Sequence, residues 1–214
     1  MTKCSEYFEV LAPKMTDELV IVSIGRVNIE WRKLTEPREG NFYGVYMSGC
    51  TAIATGLAMA LPHRRVIAID GDGAILMNLS IFLAIGKQKP SNLIVIIGDN
   101  EAYEQTRSVP TFTAGQANLE MIARGAGIEK VFTVKTVDEF RRAIDAAYAG
   151  PGPTVIWMKM EGEVITDDGL FIGMDQVENK YRFARHVEET EGVEILKPTG
   201  MSMPPPLWPL AKQE

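Results

Sequence analysis

The 214 residues predict an α/β fold: a doubly wound parallel sheet with helices on both faces, followed by an extended C-terminal arm. Three observations predict it. Short continuous apolar runs, such as Val66-Ile67-Ala68-Ile69 and Leu93 to Ile97, read as strands buried on both faces. They alternate with longer stretches of helical periodicity, the pattern of a parallel sheet covered on both sides. Two of the runs end in Gly71-Asp72-Gly73 and Asp99-Asn100, at the strand ends where open α/β sheets bind ligands.

Leu19 to Ile24 opens the sheet and Gly25 ends that strand; residues 26 to 40, polar and broken by Pro37 and Gly40, read as a loop with at most a helical turn. Asn41 to Tyr46 is a short strand leading into a helix from about Gly49 to Leu61. That helix is rich in Gly and Ala, so its backbone can approach a neighbour closely. The Val66 to Ile69 strand precedes a helix from about Ile75 to Gly86, and Pro90 marks the loop before the Leu93 strand. Glu101 to Gly115 has no apolar period, and so long a loop in a compact domain is usually functional or mobile. Ala117 to Ala126 reads as helix and Val131 to Val134 as strand. Thr136 opens a helix with a capping box closed by Glu139, carrying Val137, Phe140, Ile144 and Ala147 on one face. Thr154 to Met158 is the last core strand. Residues 1–160 thus form one domain, and 161–214 a charged, Pro-rich extension through Pro204-Pro205-Pro206 and Pro209, with Leu207 and Trp208 set in it.

With 46% hydrophobic residues the chain can bury a substantial core, and its net charge of -6 without a basic, aromatic-interleaved cluster argues against a nucleic-acid partner. No apolar run reaches the roughly 18 residues of a membrane span, and no basic-then-apolar leader opens the chain. Cys4 and Cys50 follow no metal spacing and are too few for a disulfide framework, which favours a reducing cytoplasm. His63 and His186 are isolated and read as surface residues, and Glu6, Glu9 and Glu18 as surface charges ahead of the first strand.

Asp72 and Asn100 carry the hard oxygen ligands that Mg²⁺ prefers, and glycine at 71 and 73 lets backbone approach an anion. Taken alone, either tripeptide or dipeptide is an ordinary turn. Together, at this interval, they resemble the cofactor motif of the thiamine-diphosphate enzymes: Gly-Asp-Gly, two dozen to thirty residues, then Asn. The surrounding Asn41-Phe42-Tyr43, Asp70 to Leu79 and Asp99 to Tyr103 are similar to the branch containing the sulfopyruvate decarboxylase beta subunit and phosphonopyruvate decarboxylase, over roughly residues 15 to 160.

The resemblance implies thiamine diphosphate and Mg²⁺ as cofactors. Asp72, Asn100 and the carbonyl of Ala102 would hold the metal, with Ser48, Gly49, Cys50, Gly71, Gly73, Ala74 and Tyr103 lining the cofactor and a helix start near Ala74 aimed at phosphate. In the family a bulky apolar residue just before the glycine matching Gly49 props the cofactor into its bent shape. Here Ser48 stands there and Met47 one place earlier, so either a shifted backbone brings Met47 under the cofactor or the prop is absent and Met47 is core filler. Tyr103, Gln105, Thr106 and Arg107 are the polar loop residues best placed to face substrate, a small 2-oxo acid with an anionic head group; each can equally be a solvated loop residue. The activating glutamate of the family lies on a pyrimidine-binding domain, and the residues here are expected to form only the one α/β domain. The resemblance therefore implies a hetero-oligomer that also self-associates, a decarboxylase whose site a second subunit completes. Two other outcomes stay open: a carboligase or 2-hydroxyacyl-CoA lyase subunit, and a noncatalytic cofactor-binding scaffold.

Overall fold

The computed structural model describes residues 1–162 and 175–196. Its strands are β1 (Leu19–Ser23), β2 (Asn41–Val45), β3 (Val66–Gly71), β4 (Leu93–Asp99), β5 (Ala102–Tyr103), β6 (Val109–Pro110), β7 (Lys130–Val134) and β8 (Thr154–Lys159). Its helices are α1 (Cys4–Leu11), α2 (Arg26–Thr35), α3 (Cys50–Ala60), α4 (Asp72–Leu76), α5 (Ile81–Gln88), α6 (Leu119–Gly125), α7 (Val137–Ala149) and α8 (Gln176–Glu191). Six strands form one sheet in the order β2-β1-β3-β4-β8-β7, every neighbouring pair parallel, while β5 and β6 make a separate two-stranded hairpin. The chain leaves β1 for β2 on one side and later returns to β3 on the other, so the carboxyl ends of β1 and β3 flank a topological switch point, the usual ligand crevice of such sheets.

The central strands β1 and β4 are buried at every position, because helices cover both faces. One apolar layer joins Tyr7, Phe8 and Leu11 of α1 and Trp31 of α2 to Phe140 and Ile144 of α7; the other joins Cys50 and Ala54 of α3, Phe82 of α5 and Leu119 of α6 to the opposite faces of the same strands. Both cysteines are buried, and neither is in a disulfide. Among the described residues no helix is long and apolar enough to cross a membrane.

The strands stand where the apolar runs put them, but the structure corrects several other expectations. Residues 26 to 35 are a helix rather than a loop: α2 buries Asn28, Glu30 and Arg32 beside Val27 and Trp31, and those buried polar residues mask its apolar period. Asn28 earns its burial by accepting the N–H of Gly44 at 3.0 Å. The helix expected over 75 to 86 is two, α4 and α5, separated at Met77 to Ser80. The segment before β1 contains α1. Glu6 and Glu9 are exposed as read, but Glu18 is buried, its carboxylate accepting Tyr148 Oη at 3.0 Å and the N–H of Thr16 at 2.7 Å. Thr136 caps α7 by accepting from Glu139 N, yet the Glu139 carboxylate takes the N–H of Lys135, so the box closes one residue early.

The C-terminal extension is not an extended arm throughout. Gln176–Glu191 form α8, capped by Asp175, and Asn179 seats it on the edge strand by accepting Tyr43 N at 2.7 Å while Phe183 stacks on Phe42. His186 is correspondingly half-buried beside Arg64 rather than surface-solvated, whereas His63 is exposed and meets Glu191. Pro204 to Pro206, Leu207, Trp208 and Pro209 lie outside the described residues.

Candidate functional site

A cavity of about 110 Å³ opens at the carboxyl ends of β1, β3 and β4. Its floor comes from three strand-ending turns: Ile24 to Val27 after β1, Gly71 to Ala74 after β3, and Gly98, Asn100 and Ala102 at the end of β4. Met47 and residues 103 to 106 complete the walls. Gly25 makes the first turn possible, since its φ of 93° is open to glycine; its carbonyl then accepts the N–H groups of Asn28 and Ile29 and starts α2. Arg26, at the head of that helix, reaches across the opening to Glu104 at 3.3 Å and back to Glu30 at 3.4 Å.

Two aspartates stand at adjacent strand ends. Asp72 is 3% exposed, and its Oδ2 accepts the hydroxyls of Thr111 at 2.6 Å and Thr113 at 3.0 Å. Burial, with the neighbouring Asp99 charge adding to it and the threonine hydrogen bonds opposing it, pushes its carboxyl up to about 7. Asp99 is 1% exposed and accepts Thr113 Oγ1 and Glu101 N on Oδ1, Trp157 Nε1 and Lys159 Nζ on Oδ2. Lys159 also bonds Glu101 at 2.6 Å; burial opposes its charge, but those carboxylates outweigh burial and raise its pKa.

The structure brings Met47, Gly71, Asp72, Gly73, Ala74, Asn100, Ala102, Tyr103, Gln105 and Thr106 to the one cavity. Met47 lines it and Ser48 does not; Ser48 takes a left-handed φ of 73°, and its carbonyl accepts Asn78 Nδ2 at 3.0 Å. Gly49 and Cys50 are buried outside the lining, with the Cys50 thiol donating into the carbonyls of Ile21 and Ile69 in the core. Arg107 is exposed at a left-handed turn outside the lining. The loop from 101 to 115 is folded, with the β5–β6 hairpin and two single 3₁₀ turns, and the ring of Tyr103 lies so close to Gly73 that a Cβ there would overlap it. Sequence reasoning does not single out Thr111, Thr113 or the turn after β1 as site residues, and it marks Asp99 only as the first half of Asp99-Asn100. Thr111 and Thr113 stand about 40 positions from Asp72, with no spacing rule joining them, and the glycine of the β1 turn was the one available signal.

The donor set fits a hard divalent cation. Asp72 is a buried carboxylate that, among the described residues, pairs with no Lys or Arg, and Asn100 and Ala102, whose chemistry includes an amide and a backbone carbonyl oxygen, line the same cavity. Nothing lies within 4 Å of where a Cβ on Gly71 or Gly25 would sit, leaving backbone open to an anion between two of the turns.

Residues 28–158 match the family described as thiamine pyrophosphate enzyme, C-terminal TPP binding domain. The sulfopyruvate decarboxylase subunit beta of Methanococcus maripaludis is 31% identical over 86% of this chain and 97% of that protein. Its namesake in Methanocaldococcus jannaschii is 40% identical over 58% and 65%. The phosphonopyruvate decarboxylase of Streptomyces viridochromogenes is 29% identical over 72% of this chain, which spans only 38% of that longer protein. The thiamine diphosphate-dependent 4-hydroxybenzoylformate decarboxylase of Rhodococcus jostii superposes with a TM-score of 0.62 at 20% identity, covering 75% of this chain and 33% of that one, a likeness of fold.

Proposed function

This chain belongs to the thiamine pyrophosphate enzymes, through the C-terminal TPP-binding domain of that family, and on that premise we propose that it is the diphosphate-binding subunit of a thiamine-diphosphate- and Mg²⁺-dependent 2-oxo acid decarboxylase. The observation that carries the reading is the convergence of Gly71-Asp72-Gly73 and Asn100 on one cavity at the sheet's switch point. The relatives named sulfopyruvate and phosphonopyruvate decarboxylase support a small anionic 2-oxo acid as substrate.

Asp72, Asn100 Oδ1 and the Ala102 carbonyl are the residues to hold Mg²⁺, and the open backbone at Gly71 and Gly25 the place for the diphosphate it carries. When bound, thiamine diphosphate supplies the electron sink for loss of carbon dioxide. This chain's part is position: Met47, in the cavity wall, would support the ring system, and Tyr103, Gln105 and Thr106, which line the same cavity, would contact the substrate carboxylate. Arg107, exposed outside the lining, is the candidate for the anionic head group. The proton on the aminopyrimidine is assigned to a glutamate of a pyrimidine-binding subunit. Relatives named as a beta subunit, and single-chain relatives of which this chain spans little more than a third, support that division of labour. We infer a cytoplasmic hetero-oligomer, the relatives' names supporting the assembly alone.

The test is carbon dioxide release from sulfopyruvate, phosphonopyruvate and pyruvate, with this chain and its partner purified separately and then mixed. Each alone is expected to be inactive and the mixture active. Replacing the partner's glutamate should cost about 10² to 10⁴ in turnover, the usual worth of general acid-base assistance. Full activity from this chain alone refutes the split site.

A further inference from the structure

The hydrogen bonds around Asp72 come from a part of the chain that no motif marks. Thr111 and Thr113 place both hydroxyls on the same carboxylate oxygen, Oδ2, at 2.6 and 3.0 Å. The two hydroxyls are themselves 2.8 Å apart, and Thr113 is also 2.7 Å from Asp99 Oδ1. Four short oxygen contacts share two hydroxyl protons: Thr111 donates to Asp72 Oδ2, while Thr113 reaches both Asp72 Oδ2 and Asp99 Oδ1 and divides its proton between them. Thr111 and Thr113 are 5% exposed, so water does not compete for these bonds.

The second arm of the arrangement is the loop's own closure. Asn100 and Ala102 stand on its outgoing leg, and Thr111 on its returning leg; the β5–β6 pairing of Ala102 with Pro110 and the bond from Thr111 N to Glu101 O, 3.0 Å, zip the two legs together. Asp99 is anchored in turn to β8 by Trp157 Nε1 at 2.5 Å and Lys159 Nζ at 2.9 Å. The clamp on Asp72 is therefore tied to the same segment that carries the other two candidate metal oxygens.

We propose that Thr111 and Thr113 are positioning residues for the metal: their hydroxyls hold Asp72 by Oδ2, leave Oδ1 as the oxygen for the cation, and couple its orientation to closure of the Asn100–Ala102 leg. The inference rests on the reading of Asp72 as a metal ligand. Hydrogen bonds of this kind fix a ligand's rotamer before the ion arrives, and their loss typically weakens metal binding by about 10- to 100-fold.

The experiment is calorimetric titration of this chain, mixed with its partner subunit, with thiamine diphosphate across a series of Mg²⁺ concentrations. The proteins compared are wild type, Thr111→Val, Thr113→Val, Thr111→Ser and Thr113→Ser. Thr111→Val is expected to weaken the Mg²⁺ dependence by about 10- to 100-fold and Thr113→Val by less, while both serine variants stay within about threefold of wild type. Valine keeps the shape and serine keeps the hydroxyl, so serine variants as weak as the valine variants would show that the methyl packing matters, and overturn the proposal. Valine variants that bind like wild type also overturn it. Should Thr111→Val fail to fold, Thr111→Ala removes the same hydroxyl without setting a methyl against the carboxylate and is read by the same criteria. Wild type that shows no Mg²⁺-dependent binding would instead defeat the metal-site reading itself, and this proposal with it.

Discussion

The carboxyl ends of β3 and β4 lie side by side, and each buries an aspartate, yet the two carboxylates are provided for in opposite ways. Asp99 has a donor at each oxygen, including the Lys159 ammonium and the Trp157 indole, and so ties β4 to β8. Asp72 has hydroxyls on one oxygen, a like charge next to it and, among the described residues, no cation. A buried carboxylate with a bonded cation is part of the scaffold, whereas one left with neutral donors costs folding free energy until a cation arrives. On the proposed reading, the difference separates a residue that holds the sheet together from one that faces the cavity to take a ligand; Asp70, buried with neutral donors alone among the described residues, lies outside the cavity lining and stays with the scaffold.

The contrast is sharpest when each aspartate is removed. Asp99→Ala leaves the Trp157 N–H unpaired and strips Lys159 of its buried partner, and is expected to cost about 3 kcal/mol of stability in urea unfolding of the ligand-free chain. Asp72→Ala should leave ligand-free stability unchanged or raised. Its loss shows in the ligand response: thiamine diphosphate and Mg²⁺ at about 100 times Kd stabilise a binding-competent chain by about 2.7 kcal/mol, and this variant should show none of it. Equal losses of ligand-free stability in the two variants would break the comparison.

The glycines beside Asp72 divide in the same manner. A methyl at Gly73 meets the Tyr103 ring, so Gly73→Ala should cost about 1 to 3 kcal/mol as the ring is displaced. Gly71 has an ordinary φ of -97° and open space around its missing side chain, so Gly71→Ala should fold within about 0.5 kcal/mol of wild type while weakening diphosphate binding. Thermal midpoints with and without the cofactor separate the two effects.

What the sequence discloses and what it hides follow the same physics. Parallel strands buried on both faces read directly as apolar runs, and each of the six sheet strands stands where its run lies. Gly71-Asp72-Gly73 and Asn100 were legible because a local turn at a strand end needs these residue types, and both reach the cavity. Elements that bury polar side chains were not. In α2, Asn28, Glu30 and Arg32 are inside, and α8 docks through Asn179 as well as Phe183 and Val187, so a charged surface pattern conceals both helices. The short α1 was legible in principle, since Cys4, Tyr7, Phe8 and Leu11 repeat at helical spacing. Thr111 and Thr113 are a different case: their role depends on a loop folding back on itself, a three-dimensional fact without a sequence period.

The smallest expected effect tests the rule about paired carboxylates away from the cavity. Glu191, at the end of α8, is held by Arg64 at 2.5 Å and meets His63 at 2.7 Å, which ties the helix to the connection before β3. The Arg64 hydrogen bond, with His63 adding to it against the opposing effect of burial, lowers the Glu191 carboxyl below its usual 4.5. A carboxylate whose folded pKa is depressed contributes stability that is present above its unfolded pKa and is lost as the pH falls through the folded value. Arg64 stays charged throughout, so in a His63→Gln background, which removes the imidazole contact, acidification removes the pair by neutralising Glu191 alone. In that background the stability gap between Glu191 and Glu191→Gln should be constant above about pH 6 and shrink toward about pH 3. A gap that stays constant across that range would mean that neutral hydrogen bonds, rather than the paired charge, dock α8, and the distinction drawn between Asp99 and Asp72 would lose its electrostatic basis.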